Sequence, residues 1–129
     1  VIVVDTSALM AILLKEAEAE ACETVLSETE PVIMAAPTFV EAMVVASGRG
    51  IGTRMTSLLE TMGVKIWPFD EAAARRAADA HARFGRGNHP ARLNLGDTFA
   101  YELAQRLACP LLYVGDDFSR TDVRSAIPA

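Results

Sequence analysis

Val1-Ile2-Val3-Val4-Asp5-Thr6-Ser7 opens the chain with four β-branched residues, a carboxylate and two hydroxyls. A short unbroken apolar run of this kind predicts a strand buried on both faces, as in a parallel sheet covered by helices. Asp5 then stands where the strand leaves the sheet, and in open α/β folds ligands bind at that edge. Taken alone, Asp5 reads better as the cap of a helix starting near Ala8. Three further acids at similar joints change the balance. They are Glu41 in Phe39-Val40-Glu41-Ala42-Met43, Asp97 in Leu95-Gly96-Asp97-Thr98-Phe99, and Asp116 in Val114-Gly115-Asp116-Asp117-Phe118. Together they suggest a divalent-metal site.

Outward from the first strand, apolar residues at helical spacing predict helices over 8–14 and 16–28, then a strand Val32-Ile33-Met34-Ala35 after Pro31. A helix from Pro37 to Ala46 follows, then a flexible joint marked by Gly48, Gly50 and Gly52. A helix over 53–62 is closed by Gly63, and Val64-Lys65-Ile66-Trp67 reads as the third strand. Asp70 caps an alanine-rich helix over 71–84, a loop covers 85–93, a helix covers 95–108, and Leu111-Leu112-Tyr113-Val114 is the fourth strand. Strands separated throughout by helices require crossovers. The fold class is therefore α/β, with a mostly parallel sheet of four to five strands and helices on both sides.

A chain of 129 residues fits one domain spanning 1–129, and 51% hydrophobic with 22% charged residues excludes a disordered protein. The longest apolar stretch, 8–14, is too short to cross a bilayer, and no leader pattern precedes it. Cys22 and Cys109 are isolated in apolar contexts and read as buried reduced thiols, which places the protein in the cytoplasm. The net charge of -5 argues against coating nucleic acid by bulk electrostatics. It does not exclude a nucleic-acid enzyme, because a bound cation reverses the local sign of an acidic cluster.

Glu41 interrupts a helix face on which Phe39, Val40, Met43, Val44 and Val45 all call for burial, and a carboxylate there needs a partner or a metal. Asp97 falls in a first helical turn, where the dipole favours any acid, but Gly96 before it lets the backbone approach a ligand. Tyr101, one turn on, presents a phenol on the same face. The fourth acid is open between Asp116, Asp117 and Asp122, with Asp116 favoured. Oxygen ligands with neither histidine nor cysteine beside them point to Mg2+ or Mn2+, and His81 and His89 read as surface residues. The chemistry natural to such a site is phosphodiester hydrolysis by metal-activated water.

Val3-Val4-Asp5-Thr6-Ser7-Ala8, the acid in Phe39-Val40-Glu41, the segment Leu95-Gly96-Asp97-Thr98-Phe99-Ala100-Tyr101-Glu102-Leu103-Ala104 and the segment from Leu111 to Asp122 resemble PIN-domain ribonucleases, specifically VapC-type toxins of bacterial toxin-antitoxin pairs. The resemblance implies a three-layer α/β/α fold, Mg2+-dependent cleavage of RNA, commonly a structured RNA such as tRNA, and inhibition by a cognate VapB-like antitoxin. It makes Asp5, Glu41, Asp97 and Asp116 the acidic quartet, with Asp5, Asp97 and Asp116 as metal ligands. Thr6, Tyr101 and Asp117 become supporting residues behind them. Arg83, Arg86 and Arg92 become RNA-backbone contacts, and a homodimer is implied as well.

Two rivals remain at this point. A phosphoacceptor signalling domain also carries acids at strand ends, but it usually needs a lysine after a late strand, and the only lysines are Lys15 and Lys65. A catalytically silent PIN-like binding module is disfavoured by the presence of all four acids.

Overall fold

The computed structural model describes residues 1–85, 87 and 89–127. In chain order the elements are β1 (Ile2–Val4), α1 (Thr6–Leu13), α2 (Ala19–Glu28), β2 (Val32–Ala35), α3 (Ala36–Gly48), α4 (Gly52–Thr61), β3 (Lys65–Trp67), α5 (Glu71–Phe84), α6 (Leu95–Arg106) and β4 (Leu111–Leu112). The four strands form one parallel sheet in the order β3-β2-β1-β4.

Alternation along the strands divides the core into two layers. Ile2, Val4, Val32, Met34 and Leu112 pack with Leu9, Leu26 and Met55 of α1, α2 and α4. Val3, Ile33, Ala35 and Leu111 face the other way, onto Ala80, Phe84 and Leu103 of α5 and α6. The opening run of β-branched residues is apolar throughout because both of its faces are covered.

The chain steps from β1 outward through β2 to β3, then returns to lay β4 on the opposite side of β1. That reversal opens a crevice beyond the carboxyl ends of β1 and β4, where ligands bind in folds of this kind. Asp5 follows β1 directly, and its N–H donates to the Leu112 carbonyl at 3.0 Å.

Several details differ from the sequence expectation. Helix α1 begins at Thr6 rather than near Ala8, because Asp5 itself caps it. Helix α2 begins at Ala19 rather than Glu16. Strand β4 pairs only over Leu111–Leu112, since the Val114 N–H turns away to the Ser7 hydroxyl. The larger correction concerns α3, which buries the small residues Thr38, Ala42 and Ala46 and leaves Phe39, Val40, Val44 and Val45 exposed. Its close packing against the sheet and neighbouring helices uses the narrow side of the helix. The broad apolar side faces outward.

Candidate active site

The crevice gathers side chains from the starts of two helices and the flank of a third. Asp5 is buried, and its Oδ2 accepts from the Ser7 N–H at 3.1 Å and from Ser7 Oγ at 2.7 Å. Its Oδ1 is buried with no hydrogen-bond partner among the described residues. A carboxylate oxygen left without a donor in an apolar surround is costly unless a cation or proton meets it. Burial pushes the Asp5 carboxyl up to about 6, with the Ser7 hydrogen bonds opposing and the Glu41 charge adding to the rise.

Glu41 reaches in from α3, where Thr6 Oγ1 donates to its Oε1 at 2.8 Å. Asp97 lies in the first turn of α6 inside a capping box: Asn94 N–H donates to its Oδ2 at 3.1 Å, and Asn94 Oδ1 accepts from the Asp97 N–H at 3.0 Å. This reciprocal pair fixes the Asp97 side chain before any ligand arrives. Burial first, then the charges of Asp5, Asp117 and Glu41, hold the Asp97 carboxyl up at about 7, against the lowering hydrogen bond from Asn94. Like charges act on one another only when they are close, so these four acids share one region.

Among the described residues no three carboxylates already stand at the spacing of a formed metal cage. Hard oxygen donors with one orphaned atom nevertheless fit a divalent cation that would draw them together. Asp116 and Asp117 are both exposed on the loop after β4 and line a cleft of about 680 Å3 with Ala91, Arg92, Asn94 and Arg120. It is Asp117 whose charge bears on Asp97. Asp122 stands elsewhere, accepting from the Tyr101 hydroxyl and pairing with Arg83 at 3.7 Å. The Tyr101 hydroxyl therefore points to that loop, while its ring packs edge-on against Phe84. Arg92 is exposed with φ 55°, a left-handed conformation seldom taken outside glycine, and Arg120 is exposed with no ion pair among the described residues. Arg86 lies outside the described residues.

A PIN domain family profile matches residues 2–124. The chain belongs to the PIN-domain family. Relatives of this PIN domain include a protein named Ribonuclease VapC42 from Mycobacterium tuberculosis, 42% identical over 128 residues covering 96% of this chain and 98% of that one. Among solved structures, the PIN domain resembles Mycobacterium tuberculosis VapC20, described as a sarcin-ricin loop cleaving toxin, with a TM-score of 0.76 at 15% identity over 99% of this chain and 100% of the other. It also resembles a chain of a toxin-antitoxin complex from Klebsiella pneumoniae, with a TM-score of 0.70 at 20% identity over 95% and 93% of the two chains. These likenesses confirm the α/β fold and remove the phosphoacceptor domain as an architecture.

Two residues of this PIN domain carry more than the sequence reading gave them. Ser7 gives its proton to Asp5 and takes the Val114 N–H at 3.1 Å, so one hydroxyl ties the ends of β1 and β4 together. Its only signal was its place two residues after Asp5. Glu102 is 2% exposed and accepts from Arg76 Nε at 2.9 Å and from both Arg106 Nε and Nη2, at 2.9 and 2.8 Å. That cluster ties α5 to α6, and the one hint was an arginine four residues after the acid.

Proposed function

We propose that this PIN domain is a Mg2+- or Mn2+-dependent endoribonuclease toxin that hydrolyses structured cellular RNA, tRNA foremost, and is neutralised by a VapB-like antitoxin in the cytoplasm. The observation that carries the reading is the orphaned Oδ1 of buried Asp5, a residue whose charge and those of Glu41 and Asp117 act on Asp97. The name of VapC42 and the description of VapC20 support an RNA substrate, and the latter supports a folded one. The two buried free thiols suit a reducing compartment, and among the described residues no helix is long and apolar enough to cross a membrane.

Asp5, Asp97 and an acid of the Asp116–Asp117 loop would hold the cation. When bound, it would neutralise charge on the attacked phosphate and lower the pKa of water. Ser7 fixes the rotamer of Asp5, Asn94 fixes that of Asp97, and Thr6 holds Glu41. In this reading Glu41 would take the proton of the attacking water as the bond from phosphorus to the leaving sugar oxygen breaks. Arg92 and Arg120, which line the same cleft as Asp116 and Asp117, suit RNA phosphates on either side of the cut, and Arg83, partly engaged by Asp122, is a further contact.

The deciding experiment is cleavage of total RNA by the purified chain. EDTA should abolish cleavage and Mn2+ or Mg2+ restore it, whereas undiminished cleavage in EDTA rejects the mechanism. In the same assay Asp117→Asn should cost more activity than Asp116→Asn, because the Asp117 charge reaches Asp97. The reverse order returns the fourth position to Asp116.

The Klebsiella pneumoniae neighbour is part of a toxin-antitoxin complex, and this supports an inhibitory partner here. An arginine of the antitoxin can fork onto two carboxylate oxygens and exclude the cation. If so, antitoxin and Mn2+ compete; simultaneous full binding of both would overturn this mode of inhibition. A homodimer is supported by the outward side of α3, where Val40 and Val44 are 59% and 65% exposed. Val44→Asp should sediment as a monomer where the parent sediments as a dimer, and a monomeric parent removes the proposal.

A further inference from the structure

We infer that Gly96 is a positioning residue for Glu41, and that its missing side chain is what allows the Glu41 carboxylate to rest against the first turn of α6. A Cβ built on Gly96 would lie 2.0 Å from Glu41 Oε2 and 3.0 Å from its Cδ. Real Cβ atoms do not approach a neighbour so closely, so any other residue at this position displaces the carboxylate. The backbone conformation gives no separate reason for glycine here. Gly96 is the second residue of α6 and its φ is outside the left-handed range, unlike Gly50, Gly63, Gly87 and Gly115. Within a helix glycine is less favourable than alanine, so the sequence carries a helical penalty at this position.

The other carboxylate oxygen of Glu41 accepts from Thr6. Glu41 is therefore held by a hydroxyl at the start of α1, while its other oxygen occupies the space that a side chain at Gly96 would fill. The start of α6 also favours a negative charge, since its first N–H groups lack intrahelical partners. The sequence pattern allowed Gly96 to admit a ligand. In the fold the group it admits is a carboxylate of the same chain.

The inference rests on the proposed nuclease reading for its catalytic consequence, but its geometry is testable without activity. In metal-free protein, Gly96→Ala placed on a Glu41→Ala background should raise Tm by about 3 °C, the helical gain of alanine freed from the clash. On the parent background the same substitution should fail to raise Tm, or should lower it. With Mn2+ present, Gly96→Ala should reduce kcat for RNA at least tenfold while changing KM less than threefold. Equal Tm gains on both backgrounds, or a double variant that does not fold, overturn the inference, as does a kcat at the parental level. Should the parent itself fail to cleave RNA, the melting pair still decides the inference, and it is the nuclease reading that falls.

Discussion

Asp97→Asn should melt at or above the parental temperature in metal-free buffer and should have no nuclease activity. Asparagine keeps an oxygen that can accept from the Asn94 N–H, so the capping box survives. The substitution removes a negative charge that burial and three neighbouring acids oppose. The native carboxyl, at about 7, lies above the 3.8 of the unfolded chain, so the native state binds the extra proton between those values. Stability conferred by that proton is present near pH 4 and is lost as pH rises through about 7. Asp5, at about 6, acts in the same direction over a slightly lower window. The parent should therefore lose stability from pH 5 to pH 8, by on the order of a few kcal/mol, and Asp97→Asn should lose less. Mg2+ should raise the parent's Tm more than the variant's, because a ligand stabilises the state that binds it. If Asp97 were only a helix-end acid, its replacement would cost about 0.3–1 kcal/mol and leave cleavage intact. Melting curves across pH, with and without Mg2+, separate the two cases.

Glu102→Ala should destabilise the domain by about 3 kcal/mol. The carboxylate is buried and serves two arginines at once, so its removal leaves Arg76 and Arg106 facing each other across an emptied site. Both guanidinium groups are partly exposed and can turn to water, which keeps the cost at the lower end for a broken buried pair. A fall in Tm on the order of 10 °C is expected for a chain of this size. Below the new transition the variant should still cleave RNA, because the cluster supports the helices rather than the acids. A Tm within 2 °C of the parent would show that these bonds merely balance their desolvation.

The fold was legible because its strands had no alternative. Val1-Ile2-Val3-Val4 and Val32-Ile33-Met34-Ala35 are too short for helices and too apolar for an exposed sheet, and their partition into two layers follows from the two-residue period. Asp5 and Glu41 stood out because each ends or breaks an apolar pattern, and Asp97 because it follows Gly96 in a first helical turn. The side of α3 was misread for a physical reason. Phe39, Val40, Val44 and Val45 have the composition of a core although they are exposed, and sequence alone records apolarity without saying what covers it. Glu102 was overlooked for the opposite reason, since glutamate is the default surface residue of a helix and its burial depends on Arg76 arriving from another element. The choice between Asp116 and Asp117 lay in a loop, where no periodicity relates spacing to direction.

The order of the strands has a consequence for the chain during synthesis. Asp5 leaves the ribosome well before Leu111–Leu112 of β4, which dock beside β1 and lead into the loop of Asp116 and Asp117. Contacts this distant in sequence form late, after the intervening loop entropy has been overcome. A nascent chain that holds Asp5, Glu41 and Asp97 still lacks the Leu112 carbonyl that anchors Asp5 and the Val114 amide that anchors Ser7. The acidic crevice is thus completed only once β4 has been made, and a shorter nascent chain carries these acids without the sheet contact that holds Asp5 in place.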